Sequence, residues 1–312
     1  MNYINGIHHI TAISGSPQKN VDFYSGILGL KFIKKTVNFD DINTYHLYYG
    51  NESGTPGTIL TFFPWTEHGF KGKKGTGQVC TISFSIPLSS LQFWVERLTN
   101  HNIDFAGPTK RFDEEVLIFE DHDEFEIEIV ASDEEKRPGF KIYDIPEEHS
   151  IRGFWGATIW YENTEPSEGL LTELLDFKRI KSSKKRIRLA SAEEGPGKYI
   201  DLLETTIRDK GIMGVGAIHH IAFRTENEST QLEVRKKLLN KNFNVTPVVD
   251  RNYFKSIYFR EPGQVLFEVA TDPPGFLVDE PTGSLSSSLK LPPWYEPMRE
   301  KIEANLPPIK IP

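Results

Sequence analysis

Apolar runs of strand length recur along this chain about every 50–70 residues, and each leads into a helix-like segment and then into further strands. The first run, GIHHITAIS from Gly6, precedes a helix that begins near Ser16-Pro17, puts Val21, Tyr24, Ile27 and Leu28 on its apolar face and stops at Gly29. Proline just inside a helix start and glycine just past its end are the expected punctuation. A second unit opens near Val79 (VCTISFSI), with a helix from Ser89 to Asn100. A third opens at Arg152 (RGFWGATIW), with Pro166 near a helix start and Leu170, Leu171, Leu174 and Leu175 on one face. A fourth opens at Ala217 (AIHHIAF), with a helix around Leu232 to Leu239.

The closing strands repeat as well. Unit one ends TPGTILTFF from Thr55, and unit four ends EPGQVLFEV from Glu261. Matching Pro56-Gly57 to Pro262-Gly263 sets Phe62 opposite Glu268; the same count reaches Leu202 in unit three and Glu128 in unit two. The charged linker Ser132–Ser150 divides the chain into halves, residues 1–145 with units one and two and residues 150–275 with units three and four. Residues 276–312 form a Pro-rich tail expected to wrap the domains, with a short helix over Trp294–Ala304. Pairing unit one with unit four around one site leaves units two and three around a vestigial cavity. Glu128, in the alternating run EFEIEI, is expected on the solvent face. The Gly- and Lys-rich loop Pro64–Gln78 lacks the Gly-Lys-Ser/Thr ending of a phosphate-binding loop, and Arg208–Gly216 joins units three and four.

Composition narrows the partners. A net charge of −8 argues against nucleic acid or an anionic membrane. The basic stretch Lys178–Arg188 (KRIKSSKKRIR) reads as a solvated strand and turn. Cys80 is the single cysteine, which rules out an intrachain disulfide and fits a reducing cytoplasm; within VCTISF it reads as a buried, inert thiol. No leader-like start or membrane-length apolar run interrupts this reading, so a cytoplasmic location is expected.

The candidate chemistry lies in two histidine pairs and one glutamate. Ile7-His8-His9-Ile10-Thr11 and Ile218-His219-His220-Ile221-Ala222 occupy matching places in units one and four. Strand side chains alternate between faces, so one ring of each pair faces a given surface. Alternation alone leaves open which ring that is; the matching offsets require the same choice in both pairs. We take His9 and His220 as facing the site. Glu268 lies in the apolar run VLFEVA, where a carboxylate is costly to bury unless it is paired or binds a metal. Two imidazoles and one carboxylate form the ligand set of non-heme Fe(II) oxygenases, which leaves positions for O2 and substrate. Fe(II) or Mn(II) suits His9, His220 and Glu268. Structural zinc normally takes four protein ligands, and Ca2+ takes mostly oxygens.

Long segments carry a family resemblance: GIHHIT at Gly6, YHLYYGNESGTPGTILTFFPW from Tyr45, AIHHIAF at Ala217, RNYFKSIYFREPGQVLFEVATDPPGF from Arg251 and LKLPPWYEPMRE from Leu289. The chain resembles the vicinal-oxygen-chelate superfamily. Within it, the chain closely resembles bacterial hydroquinone-type ring-cleaving dioxygenases, including the methylhydroquinone-responsive proteins of Firmicutes. The resemblance runs nearly end to end. It implies an α+β, two-domain fold of four βαβββ units, the ligands His9, His220 and Glu268, and a pocket lined by His8, Thr11, His219, Arg251 and Tyr258. It implies catalytic roles for His8 or His219 as acid or base, and for Arg251 and Tyr258, which with Thr11 bind the substrate. Phe62, Phe63 and Trp65 are expected to shield the ring from water. The implied activity is extradiol-type opening of hydroquinone rings, methyl- or chloro-substituted ones included. Its partners are a small aromatic substrate and O2, with a homodimer as a family-level expectation. Two other functions share such a fold. A glyoxalase-like lyase or isomerase usually supplies a fourth protein ligand where this chain is expected to have Phe62. A metal-free quinone- or drug-binding protein has no need of His9, His220 and Glu268.

Overall fold

The computed structural model describes residues 3–65 and 69–311; part of the Pro64–Gln78 loop therefore lies outside the described residues. Unit one comprises β1 (Ile7–Ser14), α1 (Pro17–Val21, continuing as a π-helical segment Asp22–Ile27), β2 (Lys31–Asn38), β3 (Asp41–Gly50) and β4 (Ile59–Pro64). Unit two has β5 (Gln78–Pro87), α2 (Leu91–Asn100), β6 (Phe105–Arg111), β7 (Glu114–Glu120) and β8 (Glu126–Ser132). Unit three has β9 (Phe154–Tyr161), α3 (Glu165–Leu174), β10 (Phe177–Ser183), β11 (Arg186–Ser191) and β12 (Tyr199–Glu204). Unit four has β13 (Ala217–Thr225), α4 (Glu228–Asn240), β14 (Val249–Asp250), β15 (Phe254–Arg260) and β16 (Leu266–Pro274), and the tail carries α5 (Arg299–Asn305). Each unit is βαβββ.

Local chemistry sets the helix ends. Ser16 caps α1 by accepting from the Lys19 amide. Gly29 takes φ +65, and a Cβ there would lie 2.4 Å from Ile145 Cδ1, so conformation and packing both select glycine. The α4 helix starts earlier than its apolar residues suggest, because Asn227 accepts from the Thr230 amide at 3.0 Å. No helix among the described residues is long and apolar enough to cross a membrane.

The strands form two eight-stranded sheets, β14-β15-β16-β13-β1-β4-β3-β2 and β10-β11-β12-β9-β5-β8-β7-β6. Each sheet joins one unit from each half of the chain: units one and four in the first, two and three in the second. The central strands pair antiparallel, with Ile10 opposite Ile221 in the first sheet and Ile82 opposite Ala157 in the second. An approximate two-fold relation follows within each sheet. A large core cluster joins both sheets to the helices through residues such as Val21, Trp94, Leu171 and Val234.

That register corrects the alignment of the closing strands. Thr11 pairs with Thr61, Ser83 with Glu128, Thr158 with Asp201 and Ala222 with Glu268. Thr61 and Asp201, rather than Phe62 and Leu202, are the counterparts of Glu268. A slip of one residue turns a strand side chain to the other face. Phe62 accordingly packs in the core, 4.5 Å between ring centroids from Tyr24, and takes no part in shielding the site.

Glu128 is likewise not on the solvent face. It is buried, accepts from Ser83 Oγ at 2.6 Å, and is gripped by both terminal nitrogens of Arg111 at 2.6 and 2.5 Å. The basic stretch also turns partly inward. Arg188 is buried, with Asp201 at 2.7 and 3.0 Å and Glu114 at 2.7 Å, while Arg186 adds a bond to Asp201 at 2.9 Å. The expected vestigial cavity is thus occupied by an ion-pair network. Cys80 is buried, and burial pushes its thiol pKa up to about 12, which leaves it inert.

The tail runs along unit one. Phe276 packs on Tyr48 and Tyr253 at ring separations of 5.1 and 4.8 Å. Lys34, fully buried, meets Asp279 at 2.5 Å and also Glu280. Farther on, the Tyr295 hydroxyl donates to the Phe39 carbonyl, and the Tyr45 hydroxyl to the Pro307 carbonyl, both at 2.9 Å.

Candidate metal centre

The central strand pair of the first sheet brings the two histidine pairs together. His9 lies opposite Ala222 and Thr11 opposite His220, so the two rings approach across the β1–β13 seam. Glu268 enters from β16, beside the small Ala222. His9 Nε2 and His220 Nε2 are 3.2 Å apart, and Glu268 Oε2 is 3.3 Å from the first and 2.9 Å from the second. Adjacent ligands on a metal with bonds of about 2.1 Å, about 90° apart, are separated by about 3.0 Å. The three spacings match one face of an octahedron. Glu268 Oε2 is buried without a hydrogen bond, although buried acceptors are rarely left so. Its other oxygen accepts from Ser256 Oγ. The orphaned oxygen and the two ring nitrogens fit one divalent ion.

The first ring of each pair stands behind or beside the second. His8 Nδ1 is 2.9 Å from His9 Nδ1, and His219 Nδ1 is 2.8 Å from His220 Nδ1. When the second ring donates its Nδ1 proton to the first, its Nε2 lone pair is free for a metal. Ligating histidines are commonly oriented by such an outer partner. Burial lowers the pKa of His220, and a neutral imidazole is the ligating form. Burial also lowers His8, strongly, and takes His219 down to about 3, with the neighbouring ring adding in each case. Burial opposes the charge on Glu268, but the His9 and His220 imidazoles outweigh it and hold the carboxyl well below its ordinary range.

A cavity of about 310 Å³ opens over these atoms, at the lower end of the range of about 300–1,000 Å³ typical of small-molecule sites. Thr11, His219, Arg251 and Tyr258 lie on its wall, as do Phe63 and Trp65. His8 does not. It is buried behind His9, against Phe254 at a ring separation of 5.0 Å. Arg251 Nε donates to the Tyr258 hydroxyl at 3.1 Å. His46 and Tyr48 are among the wall residues that the sequence reading did not pick out. Their signal was the alternation His46-Leu47-Tyr48, which puts both on the face of the site, as Ser256-Ile257-Tyr258 does in unit four. Burial pushes the pKa of His46 well down.

A wider groove of about 770 Å³ lies elsewhere, beside a second acidic group, Asp121, His122 and Asp123. There the carboxylates are already used. Asp121 accepts from the Tyr24 hydroxyl at 2.9 Å and the Phe125 amide at 3.0 Å, and Asp123 accepts from the Gly15 amide at 2.8 Å. That group braces a turn.

Comparison with known proteins agrees with this architecture. Residues 6–129 match the model of the glyoxalase/bleomycin resistance protein/dioxygenase superfamily. The chain is 44% identical over 306 residues to a Bacillus subtilis (strain 168) protein named ring-cleaving dioxygenase MhqO, covering 98% of this chain and 97% of the relative. It is 32% identical over 308 residues to the chlorohydroquinone/hydroquinone 1,2-dioxygenase of Sphingobium indicum, covering 96% and 95%. A crystal structure named for a dioxygenase of Bacillus subtilis superposes with a TM-score of 0.95 at 42% identity, covering 100% of this chain and 99% of that one. The chain belongs to the glyoxalase/bleomycin resistance protein/dioxygenase superfamily.

Proposed function

We propose that this protein is an Fe(II)-dependent, extradiol-type dioxygenase that opens hydroquinone-type rings, including methyl- or chloro-substituted ones, with O2. The observation that carries this reading is the convergence of His9 Nε2, His220 Nε2 and Glu268 Oε2 in an aromatic-walled cavity, with a hydroxyl instead of a carboxylate at the fourth ligand position. The names of the full-length relatives support it. Thr61 weighs against a lyase or isomerase with four protein ligands, and the orphaned Glu268 oxygen weighs against a metal-free binding protein.

His9, His220 and Glu268 would hold the metal, with Mn(II) as the alternative ion. When bound, the metal supplies Lewis acidity that lowers the pKa of a ring hydroxyl and a route for electrons from the ring to O2. The rest falls to the chain. His8 and His219 fix the tautomers of the ligand rings. His219, on the wall, carries its proton at Nε2 when it accepts at Nδ1, and so is placed to donate a hydrogen bond to a substrate oxygen rather than to act as the base. Arg251 and Tyr258 offer an N–H and an O–H to an oxygen that gains charge. Phe39, Phe63, Trp65 and Phe254 keep bulk water from the ring.

The test is oxygen uptake by protein purified anaerobically, loaded with Fe(II) and given methylhydroquinone, with the ultraviolet spectrum followed in parallel. Stoichiometric uptake with loss of the aromatic band is the expected outcome. Iron binding without uptake across a panel of hydroquinones and catechols would overturn the reading.

A further inference from the structure

Strands β3 and β15 carry opposite walls of the cavity and are related by the two-fold pairing of the first sheet. Tyr48 lies opposite Thr61 as Tyr258 lies opposite Glu268, so His46 occupies the place of Ser256. Ser256 bonds the Glu268 carboxylate. His46 Nε2 stands 2.9 Å from Thr61 Oγ1. Where the repeat could hold a fourth ligand, the chain has a hydroxyl with an imidazole braced on it.

The hydrogen bonds along this wall share one direction. Tyr48 is buried, and among the described residues its hydroxyl has one partner, His46 Nδ1 at 2.7 Å. A buried phenol proton needs an acceptor, so Tyr48 donates to Nδ1. A neutral imidazole that accepts at Nδ1 carries its proton at Nε2, and that proton goes to Thr61 Oγ1. Thr61 then donates to Thr11 Oγ1 at 2.8 Å. Thr11 accepts this bond and keeps its own O–H proton. It lies on the cavity wall, directly opposite His220 on the neighbouring strand. The chain of bonds therefore ends in a donor beside the ligands.

We propose that His46 is a positioning residue: acting through Thr61, it makes the Thr11 hydroxyl a fixed hydrogen-bond donor to an anionic, phenolate-type oxygen of the substrate. This rests on the functional reading above. The opposite polarity would present an acceptor and would favour a neutral phenol. Tyr48 sets the polarity by fixing the tautomer of His46.

The experiment is a double-mutant cycle on the iron-loaded, full-length protein with Thr11→Val, His46→Phe and the double variant. Anaerobic binding of methylhydroquinone is read from the ultraviolet difference spectrum of the phenolate, and oxygen uptake is read separately. Each single change is expected to weaken binding by about 10-fold, the scale of one hydrogen bond to a charged group, and to lower kcat/KM with it. The double variant is expected to be no worse than Thr11→Val alone. Thr61→Val should show the same loss, and Thr61→Ser should restore most of it. Additive losses in the double variant, or wild-type binding in Thr61→Val, would overturn the proposal while leaving the dioxygenase reading intact. Wild-type protein that holds iron and consumes no oxygen with any hydroquinone would overturn the functional reading, and this proposal with it.

Discussion

The two sheets have matching strand positions and use them in opposite ways. In the first, the four positions around the two-fold hold His9, His220, Glu268 and Thr61, and a cavity opens over them. In the second, they hold Thr81, Gly156, Glu128 and Asp201. Two carboxylates sit there, one more than in the first sheet, yet Arg111, Arg186 and Arg188 have claimed them. A carboxylate at this place is available to a metal only where no cation of the chain neutralises it and imidazoles stand beside it. Removing the histidines and adding arginines turns a candidate site into a plug.

The sharpest way to break the comparison is to make the same change on both sides. Glu268→Ala is expected to lose bound iron and to reduce oxygen uptake by more than about 100-fold, since even outer partners of metal ligands are worth about 10–100-fold. Its resistance to urea should fall by less than in Glu128→Ala, because no guanidinium of the chain loses a buried partner. Glu128→Ala should do the reverse. Iron and activity stay, while stability drops by about 3 kcal/mol because the Arg111 guanidinium loses its buried partner. Metal analysis and urea melts of the two variants decide the matter; loss of iron in Glu128→Ala would show that the plug is a site after all.

A smaller effect is expected from Thr61→Glu, which makes the first sheet more like the second. A second carboxylate, as a fourth protein ligand, should slow removal of the metal by a chelator and lower oxygen uptake by about 10-fold, because it fills a position that substrate or O2 needs. Faster metal loss would count against the register-based assignment of that position.

The smallest effect concerns acid. Burial works against the charge on Asp201, but Arg188 and Arg186 outweigh it and leave the carboxyl below its ordinary pKa. A folded pKa below the unfolded value, about 3.9 for aspartate, adds stability above that value and loses it as pH falls through the folded pKa. Urea midpoints taken from about pH 5 to about pH 2 should therefore fall more steeply in the wild type than in Asp201→Asn. Equal slopes would mean that the second-sheet network contributes nothing to acid sensitivity.

The repeat and the ligand set were legible because both are written in short-range pattern. Pro17 and Gly29 mark a helix, and two His-His pairs at one offset stand out in apolar strands. The errors came from register. Counting from Pro56-Gly57 and Pro262-Gly263 assumes turns of equal length before β4 and β16, whereas the ladder sets Thr61, not Phe62, against Thr11. Glu128 looked solvated because its run alternates charge with Ile and Phe, and alternation does not say which face is open. Arg111 and Ser83, distant in sequence, turned the polar face inward. His46 went unnoticed because unit one was read for its histidine pair; laying β3 on β15 would have shown it beside Ser256.

The order in which the ribosome releases the chain bears on the first sheet. By Glu204 both units of the second sheet are out, and they are contiguous. Unit one is made first, yet β1 waits for β13, His9 for Glu268, and the buried ammonium of Lys34 for Asp279 and Glu280. At about 5–20 residues per second, the roughly 200 residues from Pro64 to Glu268 take about 10–40 s to appear. Through that interval the nascent protein carries an unpaired β1 edge and an uncompensated charge, so the sheet with the candidate metal centre can close only after the other sheet is complete.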